Sequence, residues 1–137
     1  MRYYALLALA TLIFCKKSIL FAAPLGRPSV GIPSKEQGVK GGLTQQEVQG
    51  VVRRNINQVR YCYEQVILKN PSINGKLKLS WQIIANGTVQ NIKVVSNETI
   101  PIELQDCVTK KLIRWRFPNP RQGETVDVNY PFVFKPE

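Results

Sequence analysis

Residues 75–96 read GKLKLSWQIIANGTVQNIKVVS, and this stretch decides the fold class. Leu77, Leu79, Trp81 and Ile83 alternate with Lys76, Lys78, Ser80 and Gln82, the two-residue period of a strand with one buried and one wet face. Asn86-Gly87 follows, the strongest two-residue hairpin signal, because a type I′ turn needs positive φ at both central positions. The second strand continues through Ile92 and Val94. Its alternation breaks between Val89 and Ile92, where a bulge is expected.

Upstream of the hairpin, LTQQEV at 43–48 carries the marks of a helix start. Thr44 can cap, Glu47 completes a capping box, and Leu43 can staple onto Val48. Apolar residues at 48, 51, 52, 56, 59, 62, 63 and 66 form one helical face. Arg53, Arg54, Arg60 and Glu64 fall largely off it. The helix should stop near Asn70, ahead of Pro71. Downstream, Pro101 suits a first helical turn, Glu103 and Asp106 favour its positive end, and Lys110, Lys111 and Arg114 its negative end. The apolar stripe there is Leu104, Cys107, Val108, Lys111 or Leu112, and Trp115. A loop, RFPNPRQGE, then leads into TVDVNYPFVF at 125–134, with Val126, Val128, Tyr130, Phe132 and Phe134 on one side. Pro131 cannot donate to a ladder, so this strand is expected at a sheet edge. The order α-β-β-α-β predicts an α+β domain over 43–137, two helices on a three-stranded antiparallel sheet.

Residues 24–42 hold three prolines and five glycines without helical or strand periodicity, which predicts a flexible linker. Stretched out, it reaches at most about 60–70 Å. Residues 1–23 begin with one arginine and a 13-residue apolar run, the length of a signal-peptide core and too short to cross a bilayer. Cleaved export ranks first. A retained anchor through residues 3–23 and lipidation at Cys15 are the rivals, and membrane association is expected only under one of them.

The chain has 19 Lys+Arg against 9 Asp+Glu, a formal charge of +10. Removing residues 1–23 leaves +7. Histidine is absent, which takes away the usual general base, the commonest metal ligand and any Cys-His dyad. The basic residues, with Tyr61, Tyr63, Trp81 and Trp115, could suggest nucleic-acid binding. Those aromatics fall on expected core faces instead, and an exported protein rarely meets nucleic acid.

Cys62 and Cys107 each lie on the buried stripe of a helix. Exported cysteines on neighbouring core faces usually pair; two free buried thiols acting as small hydrophobes are the alternative. Neither cysteine has a paired base nearby in sequence, and there is no CxxC spacing for a metal.

Taken together, NINQVRYCYEQVILKNPSINGKLKLSWQIIANGTVQNIKVVS, the second cysteine, RWRFPNP and VNYPFVF resemble the AgmX/PglI C-terminal domain, within the TonB C-terminal superfamily. The resemblance covers about residues 43–135. It implies a periplasmic domain that recognises partners and does no chemistry, without cofactor or metal, and the family's paired cysteines fall on Cys62 and Cys107. A full transducer of that kind has an uninterrupted membrane anchor and a long Pro-rich spacer. This chain is closer to a stand-alone adaptor in envelope transport or motility machinery. The expected contact is strand addition by an envelope protein, or by a second copy in a swapped dimer, along Thr125, Val126, Asp127, Val128, Asn129 and Tyr130. The alternative is a basic envelope-binding protein that associates with anionic polymers or lipids.

Overall fold

In the computed structural model residues 28–33 and 37–136 are described. The leader, anchor and lipidation readings of residues 1–23 lie outside them. The elements are β1 (Ser29–Gly31), β2 (Gly38–Lys40), α1 (Gln45–Ile67), β3 (Gly75–Ile83), β4 (Val89–Asn97), α2 (Ile102–Leu112) and β5 (Val126–Lys135), with a 3-10 turn at Arg121–Gly123 before the last strand. Two helices pack on an antiparallel sheet, as the α-β-β-α-β reading expects.

The start of α1 is set by side chains. Thr44 Oγ1 accepts from the Glu47 N–H at 3.2 Å, and Glu47 Oε2 accepts from the Thr44 N–H at 2.7 Å. This reciprocal pair satisfies two of the donors that a helix start leaves open. The α1 face expected to be apolar is buried, with Val48, Val51, Val52, Val59, Cys62 and Tyr63 among the core residues. In α2 the buried positions are Leu104, Gln105, Val108 and Leu112. That choice between Lys111 and Leu112 follows from chemistry, since an aliphatic side chain gains about 1.5–3 kcal/mol on full burial and an ammonium loses. Gln105 is buried at no polar cost because its amide donates to the Ile100 carbonyl at 2.8 Å.

The hairpin runs over Gly75–Ile83 and Val89–Asn97, with a turn chemistry other than type I′. Only Gly87 has positive φ there, at 80°; Asn86 does not. The Gly87 N–H donates to Ile84 O at 2.8 Å and the Ile84 N–H to Thr88 O at 3.0 Å. This is the three-residue loop, a four-residue turn closed by one left-handed glycine. Asn86 serves it through its side chain, with Oδ1 accepting from both the N–H and the hydroxyl of Thr88. A side chain at position 87 would also run into the Phe117 carbonyl.

The expected bulge is present. The β3–β4 register slips between Ser80 and Gln82, opposite Asn91 and Ile92, and again between Lys78 and Leu79. Asn91 takes φ 54° and donates its side-chain amide to Gln82 Oε1 at 2.7 Å, an asparagine in the left-handed region that glycine and asparagine tolerate best.

Two expectations about the sheet are corrected. Among the described residues it has five strands, in the order β1-β5-β3-β4 with β2 also on β5, and the additional two come from the segment read as linker. Consequently β5 is no edge strand, despite Pro131: β3 pairs along one side, and β1 and β2 cover the other. One missing donor is tolerated inside a sheet if the ladder pauses there, and it does.

Candidate partner-binding edge

Strand β5 alternates as expected. Val126, Val128, Tyr130, Phe132 and Phe134 are fully buried beneath the helices. Thr125, Asp127 and Asn129 are exposed, and Asp127 accepts from the Gln82 amide at 2.9 Å. Of the six residues expected to receive a strand, Val126, Val128 and Tyr130 therefore give side chains to the core. Only their backbone could face an incoming strand.

Which backbone groups point outward follows from Pro131. It lies opposite Lys78 in an unbroken β3–β5 register. Lacking an N–H, it must occupy a non-hydrogen-bonded pair with β3. Alternation then turns the N–H groups of Asp127, Asn129, Val133 and Lys135 outward, and those of Val128, Tyr130 and Phe132 towards β3.

The outward groups are occupied in two places. Strand β1 pairs Ser29, Val30 and Gly31 with Lys135, Phe134 and Val133. Strand β2 pairs Gly38, Val39 and Lys40 with Asn129, Val128 and Asp127. Tyr130 to Phe132 have no partner on this side among the described residues, and Pro131 sits in the middle of that gap. The free edge expected at 125–130 is thus covered by the chain's own residues at Asp127–Asn129. Sequence reasoning missed this because SVG and GVK are too short to show a two-residue period. Val30, Ile32 and Val39 pack against the core margin, so apolar residues in a Gly/Pro-rich stretch were the available signal.

The covering strands are tied down at the α1 end. Gly41 (φ 126°) and Gly42 pass so close to Thr125, Val126 and Arg121 that a side chain on either would collide with backbone. The Arg121 N–H and guanidinium both donate to the Gly42 carbonyl, at 3.0 and 3.1 Å. The guanidinium also forms a two-pronged ion pair with Glu47, at 2.8 and 3.0 Å. Arg121 beside Glu47 holds its carboxyl down at about 2.

On the helix-covered face of the sheet, Cys62 and Cys107 are joined, with an S–S distance of 2.08 Å and Cα atoms 5.7 Å apart. The bond links α1 to α2 at the core margin, where Cys62 is fully buried. Next to it the Trp115 indole donates to Gln58 Oε1 at 2.9 Å. Tyr61 departs from the expected core face and is 53% exposed, with the Lys111 ammonium 5.8 Å above its ring. A shallow depression of about 420 Å³ lies by the disulfide, lined by Cys62, Val66, Lys69, Ile73, Pro101 and Glu103. Among the described residues, two core groups lack partners: Trp81 Nε1 and the Tyr130 hydroxyl. Burial pushes that phenol up to about 12.

A helix pair crosslinked over an antiparallel sheet is the arrangement of a TonB C-terminal-like domain. The chain belongs to the Gram-negative bacterial TonB protein C-terminal family, whose pattern matches residues 68–136, half of its length. Domains of this family are non-enzymatic interaction modules of the cell envelope. No curated protein and no solved structure matches the chain. The match begins one residue after α1, so neither the first helix nor Cys62 contributes to it. No helix among the described residues is long and apolar enough to cross a membrane.

Proposed function

We propose that this protein is an exported, periplasmic adaptor that binds an extended peptide segment of another envelope protein along the outer edge of β5, in the manner of the AgmX/PglI branch of the family. One observation carries the reading: the outward N–H groups of Asp127, Asn129, Val133 and Lys135 already accept strands there, three residues at a time. Main-chain hydrogen bonds supply affinity in such a mode and alternate side chains supply selectivity. Val128, the obvious residue to test, turns its N–H to β3, so Val128→Pro would disrupt the sheet. Asn129→Pro removes an outward donor and leaves the donors that face β3 in place. Envelope extracts passed over immobilised protein should lose their specific partner with Asn129→Pro while circular dichroism stays native. Full retention by a folded variant would sink strand addition.

A second reading has its own observation. Arg53, Arg54, Arg60, Lys110 and Lys111 lie on the two helices and Arg114 just beyond the end of α2, and residues 48–63 and 107–117 contain no Asp or Glu. The antiparallel contacts Cys62–Cys107, Tyr61–Lys111 and Gln58–Trp115 bring these halves together. None of the six cations has a carboxylate partner among the described residues. Such a face suits anionic envelope polymers or lipid headgroups. Binding of that kind would fall steeply between low and physiological salt, whereas strand addition would change little.

A further inference from the structure

We infer that β1 and β2 are a resident ligand, a strand built into the chain that occupies the docking edge of β5 and has to leave before a partner strand can pair. The inference rests on reading that edge as the binding site.

Three features separate this pairing from the permanent part of the sheet. Its reach is short. Strand β3 pairs with β5 without interruption from Gly75↔Phe134 to Ile83↔Val126, whereas β1 and β2 are three residues each. Its register is not continuous. Val30 faces Phe134 and Val39 faces Val128, so β1 and β2 are out of register with each other by three residues along β5. A continuous incoming strand would keep one register. Its side chains are only half inserted, since Val30 and Val39 are intermediate in burial and Gly31 and Lys40 exposed.

The glycines also indicate what kind of strand fits. A side chain at Gly31 or Gly38 would make ordinary contact with Val133 or Asn129, at 3.7 Å. Positions opposite the outward donors therefore admit residues larger than glycine, while those opposite Phe134 and Val128 take a β-branched apolar residue. A partner with apolar residues six apart and freely varied neighbours would pair along more of the edge than β1 and β2 do. The resident strand's advantage is its tether: Gly41-Gly42, held by Arg121, keeps it at an effective concentration on the order of mM.

The probe is a labelled synthetic peptide of residues 28–41, titrated by fluorescence anisotropy into the full chain and into Gly31→Pro/Gly38→Pro. In β1 and β2 these are residues whose N–H points at β5, by the same alternation. The variant should bind the peptide at least about tenfold more tightly than the unaltered chain, because the tethered competitor is gone. Equally tight binding by both would overturn the competition and leave strand addition standing. A natively folded variant that does not bind at all would overturn both. Hydrogen exchange on the unaltered chain reads the same opening without substitution: the outward amides of Asp127, Asn129, Val133 and Lys135 should exchange well ahead of those of Val128, Tyr130 and Phe132. Equal protection of the two sets would make β1 and β2 permanent parts of the fold and overturn the inference.

Discussion

Arg121 grips Glu47 across 74 positions of sequence, each guanidinium nitrogen of the pair on its own carboxylate oxygen. Glu47 is at the same time one half of the α1 capping box, so one carboxylate fastens the helix start, the loop before β5 and, through Arg121, the Gly42 carbonyl. Its folded value lies below the unfolded one. The pairing therefore stabilises the protein fully above about 4.5 and is lost as pH falls towards about 2. Acid-induced unfolding of Glu47→Gln should show less change across that window than the unaltered chain. Arg121 is exposed and Glu47 half-buried, so salt reaches the pair and the difference should shrink at high ionic strength.

Removing the crosslink should be costly. The bond closes a separation of 45 residues, worth about 4 kcal/mol in the chain-entropy view of disulfides. Urea unfolding of Cys62→Ala/Cys107→Ala is expected to show a drop of about that size or somewhat less. Non-reducing peptide mapping of material from cells should recover the linked pair. Two alkylatable thiols in folded protein would contradict the geometry.

The two buried tyrosines should respond oppositely to the same change. Tyr63 donates its hydroxyl to the Ile73 carbonyl at 2.6 Å, so Tyr63→Phe should cost about 1 kcal/mol. The Tyr130 hydroxyl is buried without a partner, so Tyr130→Phe should be neutral or stabilising by up to about 1 kcal/mol. Alkali gives a second measurement. The native state keeps the Tyr130 proton to about 12, whereas the unfolded chain releases it near about 10. Stability is therefore complete below about 10 and declines as pH rises towards 12, and Tyr130→Phe should remove that part of the decline.

Gly87→Ala tests the hairpin loop. It combines φ 80° with a Cβ driven into the Phe117 carbonyl, and Gly87 O also accepts from the Phe117 N–H at 3.0 Å. A loss of about 1–3 kcal/mol is expected by thermal unfolding, more than at an ordinary surface glycine.

Intact mass decides the export reading. Protein recovered from envelope fractions should begin near residue 23 or 24. Retention of residues 1–23, or a lipid on Cys15, would make it a membrane-attached protein instead.

What could be read in the residues and what could not divide along physical lines. The β3 alternation, the Thr44–Glu47 box and the two cysteine-bearing stripes are local patterns, and each is where its period or spacing put it. The β1 and β2 pairings are not local: three-residue strands have no period, and their place is set by the unfilled side of β5. Pro131 misled for a related reason. Its missing donor marks a place where a ladder must pause, and an edge is only one such place. The Asn86-Gly87 pair signalled a turn correctly but not its class, because the close approach of Phe117 to Gly87 comes from the far end of the domain.

Under the strand exchange proposed above, the pause at Pro131 has a kinetic consequence. It divides the outer side of β5 into two separate footholds, one at Asp127–Asn129 and one at Val133–Lys135. An arriving strand can seize either while β1 or β2 still holds the other, then advance across the proline as the remainder lets go. Exchange by halves never bares the whole side at once, so handover can be quick and the unpaired backbone stays shielded from chance pairing with the wrong chain.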